Sequence, residues 1–265
     1  MVAVAAAFFD LDKTVIAKAA MVAFGGHLRR HGLVNRRTMV RAVAQHLVFL
    51  YLGADEGRMA KMREATLAVT KGWDRDEVSS IVRETLLETV EPIIYAEALD
   101  LMDDHRERGD RIFLVSASPE EVVVPLAELI GADGAIASRA DVDEQGRYTG
   151  TMAFYNAGEA KVTAITELAE RKGFVLADCA AYSDSATDLP LLEAVGHPVA
   201  VNPDRELRRI AKERGMEVLK FENPVKLRDR ATAPSALVAG SLVLAALAYT
   251  TLRVARTVRH RPKLS

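Results

Sequence analysis

The stretch Asp10–Thr14, with the sequence DLDKT, decides the fold because it directly follows the apolar, uncharged run Val2–Phe9. A short run of this kind, rich in Val, Ala and Phe, predicts a strand buried inside a parallel sheet. Ligands bind at the carboxyl ends of such strands, which is where Asp10 and Asp12 stand. Alternation along the chain puts both carboxylates on one side, where like charges need a cation or a shared proton. Asp and Thr are also common in solvated turns, so this stretch alone leaves both interpretations open.

Three later segments carry further polar side chains at predicted strand ends or helix starts. They are Ser116 after the apolar strand Arg111–Val115, Lys161 at the start of a helical pattern, and Asp184 and Asp188 after the predicted strand Cys179–Tyr182. A set of carboxylates suits a hard cation such as Mg²⁺, which prefers oxygen ligands. Lysine and such a cation together would neutralise a phosphate, which points to phosphoryl chemistry rather than acyl transfer.

Taken in order, these segments resemble the four motifs of the haloacid dehalogenase (HAD) superfamily, in particular its phosphoserine-phosphatase-like subfamily IB. DLDKT matches the first motif, D-x-D-x-T; Ser116 matches the second, Lys161 the third, and Asp184 with Asp188 the fourth. Each motif is weak alone, whereas four in order and in the right strand or helix context are specific. The resemblance covers residues 1 to 221 and implies an α/β fold, a Rossmann-like parallel-sheet core with an inserted helical cap domain.

The resemblance implies a HAD-type phosphatase, a phosphoric monoester hydrolase, with a role for each matching residue. Asp10 would be the nucleophile that forms an aspartyl-phosphate. Asp12 would protonate the leaving alkoxide and then act as base on the hydrolytic water. Ser116 would hydrogen-bond a phosphate oxygen, and Lys161 would neutralise both the phosphate and the nucleophile. A carboxylate nucleophile divides one difficult displacement into two easier steps, which agrees with this scheme.

The resemblance also implies a magnesium site that involves Asp10, Asp12, Asp184 and Asp188. The side chains of Asp10 and Asp184 and the backbone carbonyl of Asp12 would bind Mg²⁺, while Asp188 would hold the metal's water shell or the nearby lysine. A divalent cation between the nucleophile and the phosphate would remove the repulsion between two anions and orient the attack.

The stretch between the first and second motifs is far longer than an ordinary connection from strand to helix. Its pattern predicts the helices Thr38–Leu52, Asp55–Lys71 and Asp74–Thr89, the last with Asp74 as its N-cap. An inserted helical bundle at this position resembles the caps that exclude water and select the substrate. We therefore assign residues 1–16 and 96–225 to the catalytic core and residues 17–95 to the cap.

The second half of the chain alternates predicted strands and helices. They are the helix Leu126–Ile130, the strand Ala135–Ala137, a hairpin that joins residues 141–143 to residues 147–149, the strand Pro198–Val201 and the helix Asp204–Glu213. The single cysteine, Cys179, excludes an intrachain disulfide framework and fits a reducing compartment. The first strand takes the place of a basic leader, so we expect no secretory signal.

The segment Ser235–Leu252 is uncharged, is dominated by Ala, Leu and Val, and is long enough to cross a hydrocarbon layer of about 30 Å. A core helix is the alternative, but the predicted core is already complete and the segment has no polar stripe. We assign residues 233–253 to a C-terminal hydrophobic helix, transmembrane or interfacial, and residues 254–265 to a basic tail. The expected location is the cytoplasmic face of the cell membrane, with lipid as a partner.

Basic residues flank this segment on both sides, so its orientation stays open. The positive-inside rule slightly favours a cytoplasmic C-terminal flank, while an enzyme without an export signal is cytoplasmic too. The C-terminal flank and the enzyme domain cannot both be cytoplasmic if the segment crosses the membrane once. Either the positive-inside rule does not hold here, or the helix lies in the membrane interface.

The substrate is the least determined property. Phosphoserine phosphatases of the resembled subfamily carry a Glu shortly after D-x-D-x-T for the substrate amino group, whereas Lys18, Ala19 and Ala20 stand here. The basic cluster His27–His31 is either a solvated helix face or an attractor of an anionic substrate or lipid headgroup. A small or membrane-associated phosphomonoester is therefore expected, and no nucleic-acid motif is present.

Three alternatives accompany this expectation. In the first, the protein is a phosphoserine phosphatase. In the second, it is a phosphotransferase that passes the phosphoryl group of the same aspartyl-phosphate to an alcohol instead of water. A non-catalytic membrane adaptor on the same fold would be expected to lack Asp10, Asp12 or Lys161, and all three are present. The oligomeric state is open.

Overall fold

The computed structural model describes residues 5–33 and 67–223, and these form a seven-stranded sheet with helices packed against it. The strands are β1 Ala6–Phe9, β2 Arg111–Pro119, β3 Gly134–Val142, β4 Tyr148–Phe154, β5 Ala180–Ser183, β6 His197–Val201 and β7 Glu217–Leu219. The α-helices are α1 Ala20–Arg30, α2 Arg75–Val90, α3 Ala96–Arg108, α4 Glu120–Leu129, α5 Glu159–Lys172, α6 Leu189–Glu193 and α7 Arg205–Arg214.

The sheet has the strand order β4-β3-β2-β1-β5-β6-β7. All neighbouring strands are parallel except β3 and β4, which pair antiparallel as a hairpin at one edge. Strand β1 is central and all of its residues are buried, as its uncharged composition predicts.

Two adjacent phenylalanines of β1 fill the two faces of the sheet, because side chains alternate along a strand. Phe8 is fully buried and lies 6.0 Å from Phe113 between ring centroids, in the core cluster that also contains residues of α5, α6 and α7. Phe9 faces the other side, where its ring stacks on Tyr182 at 4.4 Å and meets the edge of His105 from α3.

The insertion between β1 and β2 leaves and rejoins the core at one place. The amide of Ala17 donates to the carbonyl of Ile93 at 2.7 Å, and the amide of Tyr95 donates to the carbonyl of Val15 at 3.0 Å. The two connections therefore run side by side in opposite directions, bridged at Ile16 and Ile94.

The start of α2 is attached to the hairpin of β3 and β4. Backbone hydrogen bonds join Gly72 to Tyr148 at 2.8 Å, Tyr148 to Trp73 at 3.0 Å, and Arg75 to Gly146 at 3.0 Å. The predicted cap at Asp74 is confirmed, because its carboxylate accepts from the amides of residues 76 and 77.

Most predicted elements that fall on described residues are present, with different bounds. Strand β3 extends well beyond Ala135–Ala137 because it pairs with β2 along one edge and β4 along the other. Helix α4 begins at Glu120 rather than Leu126, since its internal Pro125 breaks the helical pattern in the sequence without ending the helix. Helices α3 and α6 and strand β7 were not predicted.

Several predictions fall on residues outside the described ranges. They are the helix Thr38–Leu52, residues 55–66 of the helix Asp55–Lys71, residues 2–4 of the first strand, the hydrophobic segment 233–253 and the basic tail 254–265. Within residues 5–33 and 67–223, no helix is long and apolar enough to cross a membrane.

Replacing Phe8 by Ala should lower the free energy of unfolding by about 3–5 kcal/mol, because a fully buried ring in the central strand would leave a cavity between sheet and helices. Val175→Ala is the control: that side chain is 50% exposed, and the change should stay within about 0.5 kcal/mol. Urea unfolding followed by circular dichroism measures both. Equal effects would place Phe8 outside the core.

Candidate active site

The candidate site lies at the carboxyl ends of three neighbouring strands. Strands β2, β1 and β5 are adjacent and parallel, so the residues that follow or end them lie side by side. Asp10 follows β1, Ser116 lies in the last part of β2, and Asp184 follows β5. The amide of Asp10 donates to the carbonyl of Tyr182 at 2.9 Å, which ties the first of these positions to the third strand.

Lys161 joins two of the predicted carboxylates. Its Nζ atom, in the first turn of α5, lies 2.7 Å from Asp10 Oδ1 and 2.7 Å from Asp188 Oδ2. Ser183 donates a further hydrogen bond to the same Asp188 oxygen at 2.7 Å. Burial alone would lower the pKa of Lys161, but the carboxylates of Asp10 and Asp188 raise it above its ordinary value, so the ammonium stays charged.

Asp10 is buried, and its environment disfavours a bare negative charge. Burial raises the pKa of Asp10 well above its usual range; Lys161 opposes this, while Asp188 and Asp12 add to it. The four carboxylates at the site therefore exceed the nearby ammonium groups of Lys161 and Lys13 in charge, so a further cation or a proton is needed to offset them.

Asp12 is held by donors from two different elements. Its Oδ1 accepts from the amide of Ala20, the first residue of α1, at 2.7 Å, and its Oδ2 accepts from Ser118 Oγ at 2.9 Å. Burial raises the pKa of Asp12, while these two hydrogen bonds act in the opposite direction. Lys13, with φ 62°, turns the chain directly after it.

Ser116 is buried, and its hydroxyl oxygen accepts from the amide of Ser118 at 3.1 Å. Because that oxygen already has a donor, the hydroxyl proton is directed elsewhere, as hydrogen bonding to a phosphate oxygen requires. The carbonyl of Ser116 accepts from Asn156 Nδ2 at 3.1 Å, and the same nitrogen donates to Ile136 at 2.9 Å. Asn156 thus bridges β2 and β3 where their pairing changes register.

Ser118 and Asn156 were not predicted as site residues. Ser118 had a signal in the sequence, because it lies two residues beyond Ser116 and so points to the same side of β2. Asn156 had no signal in the sequence, since it lies 40 residues from Ser116 and contacts it only in the folded chain.

Asp184 is the carboxylate best suited to a metal ion. Its Oδ2 lies 3.9 Å from Lys13 Nζ, too far for a hydrogen bond, and burial raises its pKa to about 7, with Lys13 opposing and Asp188 and Asp204 adding to the rise. A buried carboxylate so placed is stabilised by a cation. The amide of Asp204 donates a hydrogen bond to the carbonyl of Asp184 at 2.8 Å.

A site built only from side chains is not formed: within residues 5–33 and 67–223, no three His, Cys, Asp or Glu side chains group closely enough to hold a metal ion. Asp12 and Asp188 point their carboxylates at other donors, as described above. The side chains of Asp10 and Asp184, which the resemblance assigns to Mg²⁺, could still supply oxygen ligands of the kind that a hard cation prefers.

The sequence matches the family of haloacid dehalogenase-like hydrolases over residues 7–193. A Mycobacterium tuberculosis (strain ATCC 25618 / H37Rv) protein named "Probable phosphatase Rv3661" is 51% identical over 231 residues, which cover 87% of this chain and 80% of that protein. "Phosphoserine phosphatase SerB1" of the same strain is 34% identical over 250 residues, which cover 92% of this chain and 80% of that protein.

A crystal structure of a protein of unknown function from Bordetella pertussis Tohama I superimposes with a TM-score of 0.71 at 28% identity, covering 82% of this chain and 98% of that one. The family match extends from the first motif through Lys161 to Asp188, the span in which all six predicted site residues lie. The chain therefore belongs to the haloacid dehalogenase-like hydrolases, and within them it is a HAD-type phosphatase with a Rossmann-like, mostly parallel sheet.

Proposed function

We propose that this phosphatase hydrolyses a phosphomonoester through an aspartyl-phosphate on Asp10, with Mg²⁺ as cofactor. The observation that carries the proposal is the position of Lys161, whose buried ammonium bonds to Asp10 and Asp188 at 2.7 Å each. A fixed positive charge against a buried carboxylate at a strand end is what a phosphate needs in order to approach an anionic nucleophile.

The first chemical step is assigned to Asp10 and Asp12. Because Lys161 holds Asp10 Oδ1, we assign the attack on phosphorus to Oδ2. As the bond between phosphorus and the leaving oxygen breaks, Asp12 gives its proton to that oxygen; burial, which raises the pKa of Asp12, favours the protonated form. Ser116 donates its hydroxyl proton to a phosphate oxygen, and Lys161 neutralises the rest of the charge.

The second step returns the enzyme to its starting state. Asp12, now a carboxylate, takes a proton from a water molecule as that water attacks phosphorus, and Asp10 is released with inorganic phosphate. Asp188 does not touch the phosphate in this scheme. It keeps Lys161 in place, since Asp188 Oδ2 bonds to both Lys161 and Ser183.

We assign the Mg²⁺ site to the side chains of Asp10 and Asp184 and the carbonyl of Asp12. The ion supplies positive charge that offsets the phosphate and the nucleophile. Of the two roles that the resemblance implies for Asp188, we assign it only the second: it holds Lys161 rather than the water shell of the metal.

Phosphoserine is disfavoured as the substrate, although one relative is named for it. The first turn of α1, which begins beside Asp12, has no acidic residue that could pair with an ammonium group. The same motifs would serve a phosphotransferase, and only the acceptor, water or an alcohol, separates the two. Association with a membrane through residues 233–253 stays a prediction, since that segment lies outside the described residues.

Asp10→Asn should lower kcat by several orders of magnitude, because the amide keeps the size of the side chain but is not a nucleophile. Turnover of a phosphomonoester with Mg²⁺ measures this, and mass spectrometry checks that the amide has not reverted to Asp. Asp178→Asn is the control, an exposed Asp after α5 that should keep full activity. Turnover of Asp10→Asn near that of the control would assign the nucleophile elsewhere.

Asp184→Asn should abolish most of the thermal stabilisation by Mg²⁺. A ligand at a hundred times its dissociation constant stabilises the folded state by about 2.7 kcal/mol, so the wild type should gain several degrees in Tm. Without metal, the variant should melt at or above the wild-type Tm, because a buried carboxylate near Asp188 and Asp204 has been removed. Thermal scans with EDTA or Mg²⁺ test both points, and an unchanged magnesium response would remove Asp184 from the site.

Phosphoserine should not be preferred over its analogue without the amino group, 3-phosphohydroxypropionate. An enzyme with an acid for the ammonium would lose about 2–5 kcal/mol when either partner is missing, whereas here no such pair is formed. The ratio of the two kcat/KM values measures the contribution of the ammonium group alone. A strong preference for phosphoserine would mean that another part of the chain binds its amine.

A further inference from the structure

The Asp12 carboxylate has a donor on each oxygen, and the two donors differ in kind. The amide of Ala20 on Oδ1 can only donate, whereas the hydroxyl of Ser118 on Oδ2 can donate or accept. In a carboxylic acid the carbonyl oxygen accepts hydrogen bonds better than the hydroxyl oxygen, so an amide that can only donate favours Oδ1 as the carbonyl oxygen. The transferable proton therefore belongs on Oδ2, the oxygen that Ser118 holds.

Ser118 is itself fixed. Its side chain is only 6% exposed, it lies at the end of β2, and its amide donates to Ser116 Oγ at 3.1 Å. The backbone of Ser118 thus contacts the phosphate-binding hydroxyl, and its side chain contacts the acid. These two contacts are separable, because a change of the side chain leaves the amide in place.

We propose that Ser118 is a positioning residue, which orients Asp12 Oδ2 towards the leaving oxygen through its hydroxyl. The inference rests on the proposed role of Asp12 as general acid. Ser118 donates to one lone pair of Oδ2, and the proton to be transferred occupies the other. When the phosphorus–oxygen bond breaks, that proton moves to the leaving alkoxide, the new bond from Asp10 to phosphorus forms, and Asp12 is left as a carboxylate that Ser118 stabilises.

The test is the dependence of kcat/KM on the leaving group. This parameter covers the steps up to departure of the alcohol, and only a poor leaving group needs a well-placed acid. Ser118→Ala should lower kcat/KM for an alkyl phosphate, such as glycerol 2-phosphate, by about 10- to 100-fold, the value of a hydrogen bond to a charged group. For p-nitrophenyl phosphate the loss should stay below about threefold, since its leaving group departs without a proton.

Three further variants make the result specific. Ser118→Thr keeps the hydroxyl and should restore most of the alkyl phosphatase activity. Thr166→Val removes a hydroxyl that donates to the carbonyl of Val162 within α5, and it should leave kcat/KM unchanged for both substrates. Asp12→Asn should show the same leaving-group dependence as Ser118→Ala, in stronger form. Thermal melting of each variant shows that the fold is retained.

Each remaining outcome counts against a specific claim. If Asp12→Asn slows both substrates equally, Asp12 is not the general acid, and the proposed function and this inference both fail. If Asp12→Asn discriminates between the substrates but Ser118→Ala does not, the proposed function stands and the role of Ser118 is refuted. Failure of Ser118→Thr to restore activity in a folded protein would also refute it, because the hydroxyl would then not be the group that matters.

Discussion

The contact of Lys161 with Asp10 and Asp188 is the constraint on which the rest of the structure depends. A buried ammonium without partners would be strongly destabilising, so the chain must bring a carboxylate to either side of it. The three groups come from a helix start, the end of the central strand, and the turn after β5. These two contacts hold the first turn of α5 against the end of β1.

The same constraint explains why polar side chains gather at one edge of the sheet. Strands β1 and β5 are buried along their length, as are residues 112–116 of β2, and most of their side chains are apolar. Most of the polar side chains of the site accordingly lie in the last residues of β2 and β5 or directly after β1 and β5. There the carboxylates repel one another, and their charge is offset by Lys161, by hydroxyl donors such as Ser183 and Ser118, and by a further cation or a proton.

The central part of the fold could be predicted from the sequence because its signals are local. An uncharged run such as that before Asp10 predicts a buried strand whatever surrounds it, and the cap of α2 at Asp74 is set within four residues. The order of the motifs along the chain then predicted which residues meet. The length of β3 and the existence of β7 could not be predicted, because both strands exist only through pairing with neighbours. Asn156 escaped prediction for the same reason.

The antiparallel bridge between the two connections of the insertion has a consequence for how this chain can change. Because residues 15–17 and 93–95 lie side by side, the core meets the intervening segment as a closed loop, whatever that segment contains. The entropy of closing a loop grows only with the logarithm of its length, and a doubling costs about 0.6 kcal/mol. The insertion can therefore change in length between these two anchor points at little entropic cost, as long as its contacts with the β3–β4 hairpin and with Asp12 are kept.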